Sequence, residues 1–532
     1  MNSDLIKKQS GSDVKIISSL KIEKPFYIVL NIFFLCIICE LIFILILNSS
    51  KIIYTVDDSY IHLALAENIY RGHYGINMEE YSSPSSSILW PFLLAPFSRF
   101  GFGYLVPFIF NLISSIGSVF IVWLFIKLVF LQNFPESKKD RMGYLLLILL
   151  IPVFNLIGSI FTGMEHSLQV FLTILIIYGL ISSFYKEHFP NWLYIAIIIA
   201  PLIRYENLSI SLASLLFLYQ KGKKKNALIS FGAIVILLTA FSVFLLSLGL
   251  EALPISILQK GNVTSSGGIF YSIIENIKIN TTFERRCVVL LAYTVVLILI
   301  LINGNRKKEE RFLAGCMSAA ILMHIAAGKS GRYIVYLWSA SILTFLFLYR
   351  EGLIRFILKY NFLKTAFYFS TASIIFSYSY IYLIIITPLA SNNIYEQQYQ
   401  IHRFAKDYYK KRVAVNDLGY TSFQNDNYVL DLAGLGSMEV YKEKKDGNNY
   451  DWMNRVMSHH MVEVAIIYRS WFPNIPPTWN KAAELYLGKK KYSPADSVVS
   501  IYAVNKESLI QVQSLLKKFG RTLPAGIKLI EY

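Results

Sequence analysis

Residues 26–58 read FYIVLNIFFLCIICELIFILILNSSKIIYTVDD, and two features of that stretch decide how the rest is read. Phe26–Leu47 is an apolar run interrupted by one carboxylate, Glu40. It is long enough to cross a bilayer core, which takes ~20 residues as a helix. Just past it stand two adjacent carboxylates, Asp57 and Asp58. Side by side they repel each other, and carboxylates are costly to bring near lipid, so they need a reason.

Runs of the same kind recur at Tyr104–Leu131, Ala227–Leu250 and Ala366–Thr387. Across 532 residues 55% are hydrophobic and only 16% charged, and the mean hydropathy is +0.48. The chain reads as a polytopic membrane protein. Its net charge of +17 is distributed as topology. Lys and Arg gather in short tracts between apolar runs: ESKKDR at 136–141, KGKKK at 221–225 and NRKKEER at 305–311, with more in the N-terminal segment 1–25. Basic short loops mark the cytoplasmic side. Interleaved aromatic and basic residues are absent, so no nucleic-acid face is expected. All four cysteines (Cys36, Cys39, Cys287 and Cys316) lie in apolar segments, which leaves no disulfide for an external domain and no metal-ligand spacing. The first apolar run is too long for a signal-peptide core and is expected to be a retained span.

With the basic tracts inside, residues 51–86 form a polar external loop. ILWPFLLAPF at 88–97 is too short to span and is expected as a half-buried helix. The runs expected to cross are 26–47, 104–131, 142–161, 168–185, 191–203, 207–220, 226–250, 286–302, 312–327, 333–349 and 364–387, about eleven spans in all. A second long external loop covers 251–285. From 391 to 532 charge rises, and short strand-like runs (VAVND, YVLDL, VEVAIIY, VVSIYAVN) alternate with helix-like ones (QIHRFAKDYYKK, ESLIQVQSLLKKF). An extracytoplasmic α/β domain is expected there, after a transmembrane domain over 26–390.

The remaining ionisable groups collect at the external ends of spans: Asp57 and Asp58, Glu165 and His166, Arg204 and Glu206, Lys260, and Lys329 with Arg332. Acids and bases from five separate segments at one depth argue for one shared cavity. The plainer reading of DDSYIHLALAENIYRG, at 57–72, is an amphipathic helix on the membrane surface, capped by an Asp and stopped at Gly72. Capping needs only one carboxylate; the other is free to act as a general base. Lys260, Arg204 and Arg332 have the charge to hold a phosphate. Arg204 with Glu206 reads equally as an ion pair closing a hairpin, and Glu165 as a carboxylate at a helix start.

The order of motifs resembles the GT-C superfamily of polytopic glycosyltransferases. Those motifs are DDSYI, RGHYGIN, YSSP and Trp90 in the first loop, then TGMEHSL, IRYENL, ALPISILQKGN and GKSGRYIVYL. The chain is most similar to the branch with mycobacterial terminal arabinofuranosyltransferases, and VAVNDLGYTSFQNDNYVLDLAGL, at 413–435, resembles the start of that branch's external domain. It departs from the family at Tyr205, Lys329 and Ile255–Ser256, where relatives often carry Pro, an acid and Asn-Thr. The resemblance implies an inverting transferase with a polyprenyl-phosphate sugar donor, and a glycan, lipid or protein acceptor of the bacterial cell envelope. It places the active site outside the inner membrane. Asp57 and Asp58 match the acidic pair, with Asp57 the preferred base; Lys260, Arg204 and Arg332 match the donor-phosphate groups; Glu165, His166 and Glu206 support them. No cofactor is required, although paired carboxylates are also suited to a divalent metal. The rival classes are a transporter or flippase, which would show an internal repeat and midplane charges, and a non-catalytic scaffold.

Overall fold

The structure, a computed structural model, describes residues 24–186, 189–260, 268–328, 331–446 and 451–532. Seven helices among these are long and apolar enough to cross a membrane, and His166–Ser182 and Asn191–Ile203 are apolar but shorter. This is a multi-pass membrane architecture. Lys24–Leu47 shows why such a sequence becomes a lipid-facing helix. Phe26, Val29, Phe33, Ile37 and Ile44 recur at helical spacing on one buried stripe. Leu35, Ile38, Phe43 and Ile46 stand exposed on the others. A helix apolar all round is at home only where its outer face meets lipid.

All eleven expected runs contain a helix, but their bounds differ. The run 142–161 ends early: the helix Glu136–Val153 carries Pro152 in its last turn, Asn155 takes a left-handed conformation at φ +50°, and only a short 3₁₀ turn follows at Ile160–Thr162. Proline removes a backbone donor and cannot continue the ladder. The last run continues instead. Phe362–Glu396 is a single helix that crosses position 390, so the membrane part and the tail are joined without a linker. Its outer end is tied to the first loop. The Asn392 amide donates to the Leu47 carbonyl at 3.0 Å, and the Ser391 hydroxyl donates to the Ile53 carbonyl at 2.6 Å.

The tail folds as a mixed six-stranded sheet in the order β2-β1-β3-β5-β4-β6. The strands are β1 (Val413–Val415), β2 (Val429–Asp431), β3 (Val464–Ile467), β4 (Asn480–Tyr486), β5 (Val498–Ala503) and β6 (Lys528–Glu531). β1 pairs in parallel with β2 and β3, and β5, β4 and β6 continue antiparallel. The helix Lys506–Gly520 packs on the sheet through Val512, Leu516 and Phe519, its start closed by a capping box between Asn505 and Ser508.

The first loop does not lie on a membrane surface. In Asp58–Tyr70 every residue from Ser59 to Ala66 is buried, leaving the helix no polar face for water. The tail covers it. The Asn77 side chain accepts from the Val429 amide at 2.9 Å and donates to the Val429 carbonyl at 3.0 Å, so it pairs with β2 as another strand would. Tyr428 donates to Glu80 at 2.8 Å, Arg412 pairs with Glu79, and the Gln424 amide donates to Glu67 at 3.1 Å.

The tightest tie is Asp57. It stands at the N-cap position of its helix, yet its side chain caps nothing there. It accepts instead from the Gly419 and Tyr420 amides of the tail, at 2.7 and 2.8 Å. A Cβ at position 419 would overlap the Asp57 main-chain oxygen. Gly419→Ala is therefore expected to destabilise the seam by about 1–3 kcal/mol. Limited proteolysis should then cut within 391–436 in the variant under conditions that leave the parent chain whole.

Candidate functional site

Arg204 is the most completely buried guanidinium or ammonium group among the described residues, at 1% exposure. It follows the helix Asn191–Ile203 in extended backbone, where Pro201 limits further helix. Its Nε and Nη2 donate to the Glu206 carboxylate at 3.2 and 2.8 Å, and its Nη1 to Glu165, itself fully buried. His62 Nε2 lies 3.5 Å from the other Glu165 oxygen, and His62 Nδ1 meets the Ser85 hydroxyl at 3.1 Å. The ion-pair reading of Arg204 and Glu206 therefore holds, and Glu165 joins them. Both forks of the guanidinium are engaged by carboxylates, which sets Arg204 apart from a free phosphate ligand.

Tyr333 connects this network to an open cation. Its ring lies over Arg204, 4.8 Å from the guanidinium carbon, and its hydroxyl accepts from Arg332 Nη2 at 3.1 Å. Arg332 also donates to Asp58. Arg332 and Asp58 are each about one-third exposed, unlike the buried set behind them. The acidic pair thus divides. Asp57 turns into the tail, and Asp58 meets a cation at the edge of a cavity.

That cavity, of 410 Å³, is lined by Arg332, Arg286, His166 and Tyr380. Its apolar wall is built by Val335, Leu383 and Ile386, and Tyr492 and Ser493 of the tail close one side. Arg286 pairs with Glu284 through two 2.8 Å bonds and lies over the Tyr380 ring. Its remaining Nη1 is buried with no hydrogen-bond partner among the described residues, and so is His166 Nε2. Arg286 Nη1 is a buried donor whose missing partner costs free energy unless something supplies an acceptor, whereas His166 faces Gln169 Oε1 through Nδ1 at 3.5 Å and so presents a lone pair at Nε2. A second cavity, of 480 Å³, lies on the other side of Tyr333, with Tyr205, Glu206 and His324 in its wall.

Asp417 is a further carboxylate at this seam. It accepts from Gln398 and from the Tyr468 hydroxyl, both at 2.7 Å. Burial pushes its carboxyl above the usual range, and the Asp58 charge pushes the same way. Asp57 is held well above its usual range by burial, then by Asp417. The donor set does not fit a divalent metal. Both Asp57 oxygens take backbone amides, Asp58 takes Arg332, and Asp417 takes a phenol and an amide. Among the described residues no three ligand atoms converge here.

The structure therefore brings Arg332 and His166 to one cavity, with Asp58 paired to Arg332 at its edge, while Arg204 and Glu206 stand in the wall of the second cavity and Glu165 is buried against Arg204. The helix Ile255–Lys260 abuts the tail, with Gln259 donating to the Gly434 carbonyl at 2.9 Å. The Lys260 side chain and Lys329 lie outside the described residues. Arg286 and Asp417 escaped the sequence reading. Arg286 had a signal, an Arg pair at the external end of a span where positive charge is not expected. Asp417 looked like the end of a strand.

The domain of unknown function DUF8728 matches residues 392–502, which is the tail without its last helix and strand. No curated protein matches the chain. Among solved structures, the crystal structure of the Archaeoglobus fulgidus oligosaccharyltransferase in complex with zinc and sulfate aligns with 93% of this chain and 74% of its own. Sequence identity over that alignment is 11% and the TM-score 0.40, a similarity too slight to establish a shared fold.

Arg204 lies between two carboxylates, so removing Glu165 leaves its Nη1 without an acceptor while Glu206 still neutralises the guanidinium. Glu165→Ala is expected to cost about 1–3 kcal/mol. Thermal melts in detergent should show that loss, whereas Asp58→Asn, at a half-exposed position, should leave the melting temperature nearly unchanged.

Proposed function

We propose that the chain is a membrane glycosyltransferase of GT-C type. It moves a sugar from a polyprenyl-phosphate donor to an envelope glycan, lipid or protein at the external face of a bacterial inner membrane. The observation that carries this reading is the cavity with Arg286 Nη1 and His166 Nε2 buried and unpartnered beside Arg332. A phosphate supplies the acceptor that Arg286 Nη1 lacks, and guanidinium groups suit it geometrically. The apolar wall of Val335, Leu383 and Ile386 gives a prenyl chain a path toward lipid.

In this reading the acceptor hydroxyl attacks the anomeric carbon from the face opposite the phosphate. The new C–O bond forms as the sugar–phosphate bond breaks, and the electron pair leaves with the phosphate. Asp58 takes the hydroxyl proton, and Arg286 and Arg332 stabilise the growing phosphate charge, with His166 in the same wall. Both Asp57 oxygens accept from backbone amides, so the role of base, first expected of Asp57, passes in this reading to Asp58. Asp57 becomes the residue that holds Asp58 in place. The Arg332–Asp58 pair supplies a sequence of events: a donor phosphate competes for Arg332, and Asp58, relieved of its cation, becomes a stronger base.

Transfer from radiolabelled polyprenyl-phosphate sugars to envelope lipids, by the full chain in nanodiscs, tests the proposal. Asp58→Asn should lower transfer by ~10²–10⁴-fold without changing the melt, and Arg286→Gln should raise the donor KM. Unchanged transfer by folded Asp58→Asn would remove Asp58 from the mechanism. A lack of transfer from every donor, with no donor-induced thermal shift, would favour a transporter.

A further inference from the structure

In the tail, outside the lining of the cavity, three side chains point their ligand atoms at one place. Glu439 lies in the first turn of the helix Met438–Asp446. His459 ends the helix Asp451–His459, and His460 follows it before the chain turns at Met461, whose φ is +53°. The Glu439 Oε2 atom is 2.9 Å from His459 Nδ1 and 2.9 Å from His460 Nε2. The three ligand atoms lie within 4.8 Å of one another.

Two imidazoles converging on one carboxylate oxygen make a poor ion pair. Their ring centroids are 4.8 Å apart, so a second proton on the pair would bring two cations together over a single charge. A divalent cation resolves this arrangement, because neutral imidazoles then donate lone pairs. Tetrahedral ligand atoms on bonds of about 2.0–2.1 Å stand about 3.3 Å apart, a few tenths beyond the distances here. The carbonyl end of the helix Asp451–His459 adds negative potential at the same point. Use of Nδ1 by His459 and Nε2 by its neighbour lets consecutive residues reach one centre.

We propose that Glu439, His459 and His460 form a transition-metal site with a donor set suited to Zn²⁺, since two nitrogens and one carboxylate oxygen favour it over Mg²⁺ or Ca²⁺. The side of His459 open to solvent, at 69% exposure, gives water the fourth position. The site is a brace rather than a reaction centre. The His460 ring stacks on Tyr428 at 4.9 Å and 12°, and Tyr428 donates to Glu80 of the first loop at 2.8 Å. Arg412, paired with Glu79 of that loop, also reaches the His460 carbonyl at 3.4 Å. A metal that fixes His460 therefore stiffens the seam carrying Asp57 and Asp58.

The test titrates Zn²⁺ alone, by calorimetry, into full-length chain freed of chelator and of any purification tag. The expected result is about one bound Zn²⁺ per chain and a higher melting temperature, with Co²⁺ giving the visible absorption of a tetrahedral site. His459→Ala, Glu439→Gln and the double variant His459→Ala/His460→Ala should melt with the parent in chelator. Each should lose at least about 100-fold in affinity, the upper end of what disturbing a ligand's outer hydrogen bond costs. Absence of Zn²⁺ binding by the parent, or binding unchanged in the double variant, overturns the proposal.

Discussion

The seam between the first loop and the tail depends on the Asp57 carboxylate being held by the amides of Gly419 and Tyr420. A carboxylate cannot be buried without donors, and backbone amides at the start of a short helix supply them. That bond fixes the tail over the first loop. It also fixes the neighbouring residue, since two consecutive side chains at a helix start point in different directions. With Asp57 turned into the seam, Asp58 faces Arg332. The two adjacent acids thus have separate partners: Asp57 ties the first loop to the tail, and Asp58 pairs with Arg332.

Behind this pair the fold separates two kinds of positive charge. Arg204 sits between two carboxylates and under an aromatic ring, an arrangement that orders the turns around it and leaves it little capacity for a ligand. Arg332 and Arg286 each have a single carboxylate partner and border open space. Tyr333 touches both sets, its ring on Arg204 and its hydroxyl on Arg332.

The membrane helices were legible because apolar length is a strong signal, and so were four strands, with runs such as VAVND and VEVAIIY dense in β-branched residues. β4, reading NKAAELY, and β6, reading KLIE, were missed because they carry Lys, Glu and Ala and gain their pairing from β5 and from each other. The gathering of Asp58, His166 and Arg332 was legible from topology alone. What periodicity could not reveal is that the Asp58–Tyr70 helix is buried all round over Ser59–Ala66. Nor could it show that Asp57 faces a partner more than 350 residues away. Ile61, Leu65 and Ile69 mark an apolar face, and nothing in their spacing shows that the tail covers the opposite one.

The central claim is that the wall formed by Arg286, His166 and Arg332 holds a lipid-linked phosphate with Asp58 beside it. A cryo-electron microscopy map of the chain in nanodiscs with a polyprenyl phosphate tests it most directly. The account predicts phosphate density within hydrogen-bond reach of Arg286 Nη1, the prenyl chain running past Val335 and Ile386, and Arg332 drawn away from Asp58. Phosphate density on the other side of Tyr333, in the cavity walled by Tyr205 and His324, would contradict it.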